Sequence, residues 1–504
     1  MRAPLPLKPL AAMVALLCAS VGAAAAGPTT DDLQLLVEKL NQRMEKLEQR
    51  NADLERELRG AHPSQKKAVP SATVDVEKRI QALEAQQART SESLDSDRLS
   101  ENEPELTSRL KMVEMQAQSA QSAARKIESL DGISAGLSLT TMAQKPFGLP
   151  GADSQLNYRG DAFIMLPLEH IGDIEQQLFA QFRIGQGAGL NDLPSFSKPN
   201  ATAFRVLGGL RPDDSVAVLA QAWYQASIPL PFGGYKPRSK ETLEINFGKM
   251  DPFVFFDQNA VANDETRQFI NTIFVHNPLL DAGGDIGVDA NGFTPGFRLS
   301  YANFTNKPET WRVSLGIFGA GEKGSNYQRS PSSPLVMLQA ETEQRLFTGL
   351  AGTYRIYTWR NAAAGDFDSV ATATERHSGW GISADQRIGD GLTLFGRFGQ
   401  QMQGHVRFNR ALTVGAEING SYWNRGGDSI GIAAGLLNTS QDYRNFSAAT
   451  NPANDAEHVA ELYYRFRVGK QFELSPNFQY IGNPAGVGSA EAIKILGLRA
   501  QITY

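Results

Sequence analysis

The residues of this 504-residue chain that could do chemistry are six histidines, one cysteine and a spread of arginines and carboxylates. His62, His170, His276, His377, His405 and His458 are scattered, and none stands in an H-E-x-x-H or other metal-ligand spacing. No G-x-S-x-G elbow presents an activated serine, and no G-x-x-x-x-G-K loop presents a phosphate cradle. Arg159-Gly160-Asp161 spells an adhesion tripeptide at the edge of a predicted strand and carries no weight alone. The chain reads as no enzyme and as needing no cofactor.

The arginines and carboxylates follow a pattern. Trp311, Val313, Leu315 and Ile317 alternate with Arg312, Ser314, Gly316 and Phe318, and Leu178, Ala180, Phe182 and Ile184 with Gln181 and Arg183. Near the end Phe472, Leu474, Pro476, Phe478 and Tyr480 alternate with Glu473, Ser475, Asn477 and Gln479. The last segment sets Leu496, Leu498, Ala500, Ile502 and Tyr504 against Gly497, Arg499, Gln501 and Thr503. A period of two puts the two sets on opposite faces of a strand. On the polar face fall Arg183, Arg298, Arg312, Arg355, Arg397, Arg465, Arg467 and Arg499, with Glu244, Glu417, Glu461 and Glu473. Arginines interspersed with carboxylates offer directional donors and acceptors to hydroxyl-rich solutes without one overwhelming sign of field. The excess of arginine in this set also leaves a broad or anion-preferring passage open.

What positions such residues is a set of about sixteen segments of roughly ten residues from about Ile133 onward, the length a tilted strand needs to cross hydrocarbon. A soluble sandwich also alternates, but it turns its apolar face inward. An even number of long strands favours a closed transmembrane barrel, in which a charge facing lipid at mid-membrane costs roughly 2–4 kcal/mol. The expected fold is therefore all-β: an antiparallel transmembrane barrel of about sixteen strands, preceded by an α-helical coiled-coil region. Tyr504, an aromatic at the end of the last strand, reads as a signal to the outer-membrane assembly machinery.

The start of the chain supports export. Arg2 and Lys8 precede an apolar run from Leu10 to Val21 and the small residues Ala24, Ala25 and Ala26, so 1–26 reads as a signal peptide. Its removal would take Cys18, the only cysteine, leaving no intramolecular disulfide or thiolate metal site. It also leaves 47 basic against 54 acidic residues, which gives nucleic-acid binding no support. Nowhere later does an apolar stretch reach the length of a helical span.

Residues 27–131 read as a periplasmic stalk, and 132–504 as the barrel. Leu33, Val37, Leu40, Met44, Leu47, Asn51, Leu54 and Leu58 alternate steps of four and three, a heptad seam with one asparagine at an a position. Arg43 and Arg50 would face Glu48 and Glu55 of a partner helix, favouring a parallel assembly. Pro63, Pro70 and Pro104 interrupt the helical pattern, and Asp131-Gly132 ends it.

One stretch inside the barrel region, 257–274, breaks the strand pattern. Ala260, Asp264, Arg267 and Asn271 fall at helical spacings, and Val261, Phe269 and Ile273 could form one apolar stripe. A short helical element folded into the lumen would make Asp257, Asn259, Asn263, Asp264, Arg267, Gln268 and Asn271 a constriction. An extracellular cap is the alternative.

With these residues in view, the chain resembles the carbohydrate-selective OprB-type porins. The resemblance rests on the stretches 256–264 (FDQNAVAND), 268–271 (QFIN), 390–397 (DGLTLFGR), 423–431 (WNRGGDSIG), 461–465 (ELYYR), 475–476 with 479–481 and 483–484, and 497–499. They lie in order over the C-terminal half, with weaker similarity back towards residue 133. The resemblance implies a sixteen-stranded outer-membrane barrel that passes sugars by facilitated diffusion, its N-terminal region in the periplasm. The stalk is absent from the simplest members and suits a tether or a homo-oligomer, with a trimer favoured.

The seam generates a first prediction. Mass measurement of the intact protein in mild detergent should give a multimer that falls towards monomer when Leu40, Leu47 and Leu54 are changed to Ser. A monomer at high concentration would assign the seam to another periplasmic partner.

Overall fold

In the computed structural model the alternating segments pair edge to edge until the last meets the first. The structure describes residues 133–149, 151–204, 215–231, 239–280, 293–319, 334–347, 349–365, 367, 375–389 and 391–504. The signal segment and the heptad seam lie outside the described residues.

The first strands are β1 (Ser134–Phe147), β2 (Gln155–Ile171), β3 (Ile174–Gln186), β4 (Val216–Leu230), β5 (Glu241–Met250) and β6 (Thr294–Asn303). Then come β7 (Thr310–Gly319), β8 (Pro334–Gln344), β9 (Gly352–Ala364), β10 (Glu375–Arg387) and β11 (Leu392–Gln403). The last are β12 (Phe408–Asn419), β13 (Ser429–Thr439), β14 (Glu457–Arg467), β15 (Phe472–Gly482) and β16 (Ile493–Thr503). Each strand pairs antiparallel with its sequence neighbours, and β1 pairs with β16 to close a sixteen-stranded barrel. At the seam Leu137 N–H donates to the Tyr504 carbonyl (2.9 Å) and Tyr504 N–H to the Leu137 carbonyl (2.8 Å). Closure leaves no sheet edge, which is how strands satisfy their backbone in a solvent that cannot hydrogen-bond.

The pleat then sorts the side chains. Ile356 (56% exposed), Ile432 (54%) and Leu496 (53%) point outward with most of the other large apolar residues of the strands. Aromatic pairs mark the outer wall towards the end that holds Tyr504: Tyr301–Trp311 at 5.2 Å and Trp423–Tyr464 at 6.0 Å. Trp380–Phe398, at 5.4 Å, lies towards the other end. An apolar outer band with aromatic girdles is the surface a lipid bilayer selects. Pro476 tests the rule, because a proline cannot donate to the ladder. It points outward in mid-strand, and the β14–β15 pairing skips from Tyr463–Asn477 to Phe466–Leu474 around it.

The two ends of the barrel differ. Connections at the Tyr504 end include the short 172–173, 304–309, 388–391 and 468–471. At the opposite end, 187–215, 251–293 and 440–456 are long. The connection 251–293 supplies most of the molecule's core, with Leu190 and Phe196 added from 187–215. Phe253, Phe255, Phe256, Phe269, Ile273, Phe274, Leu279 and Leu280 are buried against Trp223, Phe318, Met337, Trp359, Phe395 and Tyr463 of the inner wall. Close approach needs small residues there: a Cβ on Gly316 would lie 2.8 Å from the Phe256 ring, and one on Gly399 would lie 2.5 Å from Asn277 Oδ1.

A closed ladder of this kind resists detergent until heated. The unboiled, membrane-inserted protein should therefore migrate faster on gels than the boiled protein, and identical migration would count against closure.

Candidate functional site

The segment 251–280 runs from the loop end of β5 into the barrel interior and reaches across it. It starts with a turn of 3-10 helix, Pro252–Val254, capped by Asp251, whose Oδ1 accepts from Phe253 N–H at 2.9 Å. Its one α-helical turn, α1 (Thr272–Val275), is capped by Asn271. The helical spacing of Ala260, Asp264, Arg267 and Asn271 is not realised: 255–270 contains turns and bends and no α-helix. The reason is local. Asn259 Oδ1 accepts from Val261 N–H, Asp264 Oδ1 from Thr266 N–H, and Gln268 Oε1 from the N–H groups of Asn263 and Asp264. Side chains that satisfy nearby backbone donors in this way compete with a helix.

One wall holds the segment through Asp257. Its backbone is left-handed (φ 51°), and its side chain and that of Arg397 are 0% exposed. Arg397, on β11, donates from Nε to Asp257 Oδ1 (3.1 Å), from Nη2 to the Asp257 carbonyl (3.0 Å) and from Nη1 to the Phe274 carbonyl (2.8 Å). Tyr357 Oη on β9 donates to the same carboxylate (2.9 Å), as does Asn277 N–H (2.5 Å), while Gln339 on β8 accepts from Asp257 N–H (2.9 Å). Next to this cluster, Asn259 Nδ2 donates to the Ala384 carbonyl of β10 at 3.1 Å.

Other strands hold the middle of the segment. Glu461 on β14 accepts from Ile270 N–H (2.8 Å) and Asn271 N–H (2.9 Å), and Asn271 Nδ2 donates to Gln479 on β15 (3.0 Å). Arg267 makes a two-pronged contact with Glu473 on β15, at 2.7 and 3.0 Å. Arg499 Nη1 on β16 donates to the carbonyls of Glu265 (2.9 Å) and Gln268 (2.7 Å). Glu265 pairs with Arg159 on β2 at 2.7 Å. The connection after β3 lies against the same segment: Ala201 N–H donates to the Ile270 carbonyl and Thr272 N–H to the Lys198 carbonyl.

Beside the Asp257 anchor, where Gln339 Nε2 also donates to Glu341, the inner wall carries a ladder of opposite charges across six adjacent strands. Glu244 (β5) pairs with Arg298 (β6, 3.2 Å) and Arg312 (β7, 2.7 Å); Arg312 also meets Glu341 (β8, 3.3 Å). Glu341 meets Arg355 (β9, 3.3 Å), which pairs with Asp385 (β10, 2.9 Å). A second row runs from Arg183 (β3) through Asp161 (2.7 Å) to Arg159 (3.0 Å) and Glu265. Glu341, Arg267 and Glu265 keep about a fifth of their side-chain surface open (20%, 20% and 18%). Guanidinium and carboxylate groups thus stand close together, and Glu341, Arg267 and Glu265 keep surface with which to bond a solute, while Arg298, Arg355 and Arg159 are buried.

The other residues expected from the sequence take these places. Glu417, on the inner face of β12, accepts from Tyr463 Oη. Arg465 occupies an inward position on β14, partly exposed. Arg467 lies at the Tyr504 end, where its N–H donates to Asp428 and its Nε to the Gly469 carbonyl, away from the inner segment. Asn263 bonds within the segment, through Gln258 and Gln268. Sequence reasoning missed Arg159, Asp161, Glu265, Glu341 and Asp385. Arg159 and Asp161 were within reach, being two residues apart and so on one face of β2.

Two carboxyls of the segment titrate away from their ordinary range. Burial pushes Asp251 up to about 6, opposed in part by His276 and by the Phe253 N–H. Burial also acts to raise Glu265, but the Arg159 and Arg183 guanidiniums hold it below the usual carboxylate range.

The model of the carbohydrate-selective porin OprB family matches residues 77–504, starting inside the stretch assigned to the stalk. Porin B of Pseudomonas aeruginosa is 24% identical over 304 residues, covering 52% of this chain and 65% of that protein, so the chain spans just under two thirds of that relative. Porin AaxA of Chlamydia trachomatis is 28% identical over 135 residues, 26% of this chain and 28% of that protein. A high-pH structure of Pseudomonas putida OprB superposes with a TM-score of 0.58 at 20% identity, covering 76% of this chain and 97% of that one; this likeness shows the fold.

The Asp257–Arg397 pair generates the next prediction. Arg397→Met leaves the Asp257 carboxylate buried without its cation and should cost about 3–5 kcal/mol. The midpoint of the heat-induced gel-mobility change should fall accordingly. Adding Asp257→Asn should recover part of the loss, since residues in contact do not act additively.

Proposed function

The chain belongs to the carbohydrate-selective porin OprB family, and from that membership we propose that it is an outer-membrane channel for passive diffusion of sugars into the periplasm. The observation that carries the reading is the charge ladder Glu244–Arg312–Glu341–Arg355–Asp385 inside a barrel narrowed by 251–280. A sugar sheds water as it enters a narrow passage and needs both donors and acceptors in return. Guanidinium N–H groups donate to its hydroxyl oxygens, and carboxylate oxygens accept from its hydroxyl hydrogens. Since the groups are already paired, a sugar exchanges bonds with them one at a time and is not trapped.

The paired carboxylates weigh against an anion-preferring pore. Asp161, Glu265, Glu341 and Asp385 offset the arginines that the inward-facing set alone left in excess. Asp257, Asn259, Asn263, Asp264, Arg267, Gln268 and Asn271 act in this reading as the constriction, with Asp257 and Asn271 anchoring it and Arg267 bordering the opening. The long connections face the outside and the short turns the periplasm, as in outer-membrane barrels generally. The region 27–131 would then extend into the periplasm, where its seam can join copies of the chain.

Two measurements test this. In planar bilayers, added sugars should block the open-channel current, and removal of 258–273 should raise conductance and weaken the block. Unchanged conductance in a correctly assembled deletion would place the segment outside the conduction path. Arg312→Gln with Arg355→Gln leaves Glu341 and Asp385 without their cations and Glu244 with Arg298 alone, and should shift the reversal potential in a salt gradient towards cation selectivity. An unshifted potential would mean that permeating ions do not sense the ladder.

A further inference from the structure

The outer wall carries charge with a bias that diffusion through the lumen does not explain. Lys145, Arg360, Arg376, Arg410 and Lys494 are exposed and stand at outward positions of β1, β9, β10, β12 and β16. Each lies within four residues of the strand end that meets the long connections. Among the described residues of the strands, no Asp or Glu faces outward in that half. Glu241, which shares the outward face of β5 with Leu243 and Ile245, lies at the opposite end.

The densest part spans four adjacent strands. Arg360 stands opposite Ser378 in the β9–β10 register, Arg376 is two residues beyond Ser378, and Arg410 stands opposite Gln400 in β11–β12. Arg410 Nε donates to Gln400 Oε1 (3.0 Å), and neither Arg360 nor Arg376 has an ion pair among the described residues. At about 4.8 Å per strand, the row from β9 to β12 is about 14 Å wide. Among the described residues, Glu375 turns to His377 and His405, and Asp442 borders the same rim notch as Arg376. Just towards the barrel middle lies the outward Trp380–Phe398 pair, of the kind that marks the edge of hydrocarbon.

We propose that this face, Arg360, Arg376 and Arg410 over β9–β12, binds the phosphate groups of an anionic glycolipid of the outer leaflet, the chemistry of lipopolysaccharide. Guanidinium forks match phosphate oxygens, and a cation placed at the hydrocarbon boundary is stabilised by anionic headgroups. A zwitterionic lipid presents a cation beside each phosphate and satisfies this surface less well. The inference uses the orientation of the preceding section, with the long connections outside, and it does not depend on which solute passes the lumen.

The test titrates bisphosphorylated lipid A, dephosphorylated lipid A and inorganic phosphate into the full-length protein in nonionic detergent, with native mass spectrometry counting bound lipid. Bisphosphorylated lipid A should bind the wild type at least about tenfold more tightly than the Arg360→Gln/Arg376→Gln/Arg410→Gln variant. The corresponding triple Lys variant should keep most of that binding. Equal affinity of the glutamine variant, equal binding of the dephosphorylated lipid, or displacement by an equal concentration of inorganic phosphate would overturn the proposal. Should the triple variant fail to assemble, Arg376→Gln alone gives the same reading as a graded loss. Sugar block recorded on the same samples keeps a failure of the channel reading separate, because all three side chains lie outside the lumen.

Discussion

Backbone amides cannot stay unpaired in hydrocarbon, and every feature of this molecule follows from how that constraint is met. Each strand gives its N–H and C=O groups to two neighbours, and the Leu137–Tyr504 bonds complete the ring. Once the ladder is closed, the pleat has no freedom left. Alternate residues must face lipid or lumen, and a one-residue slip would exchange the two sets. Leu496 and Leu498 are outside and Arg499 and Gln501 inside because no other register buries the polar set away from lipid.

A closed ring of sixteen strands leaves an interior too wide for wall side chains to fill. The chain fills part of it with its own connections. The segment 251–280 brings a stripe of phenylalanines, and burying them against Phe318, Phe395 and Tyr463 favours an inward position. Apolar contact does not specify depth or rotation, however. Those come from polar anchors on two stretches of the wall: Asp257 with Arg397 and Tyr357 on one, and Glu461, Glu473 and Arg499 with the segment's backbone and Arg267 on the other. Low dielectric makes such bonds strong when complete and costly when broken, so the segment has one well-defined seat.

The same electrostatics act differently on the two faces of the wall. Inside, charges of both signs interleave, since water and the opposite charge next door share the cost of desolvation. Outside, in the half that meets the long connections, the charged residues of the described strands are basic. Long basic side chains can reach past the hydrocarbon edge, where anionic headgroups can meet them.

The sequence by itself determined that the region from about 133 onward is built of about sixteen strands and, where the alternation is clear, which way the side chains point, because the period of two is a property of one strand read locally. Arg183, Arg312, Glu473 and Arg499 were legible as inward-facing on that ground. It also marked 257–274 as an interruption, but read its spacing as helical, where the Asn, Asp and Gln side chains bond nearby amides and hold turns instead. Only the tertiary structure decided which charges pair. Arg355 meets Asp385 because β9 and β10 are staggered so that Arg355 stands opposite Ser383, one same-face step away. Arg397 meets Asp257, 140 residues earlier, because a loop enters the barrel at one depth. Stagger and loop entry are settled by the closure of all sixteen strands together, and a pattern with period two is the same for every stagger that keeps the faces in phase.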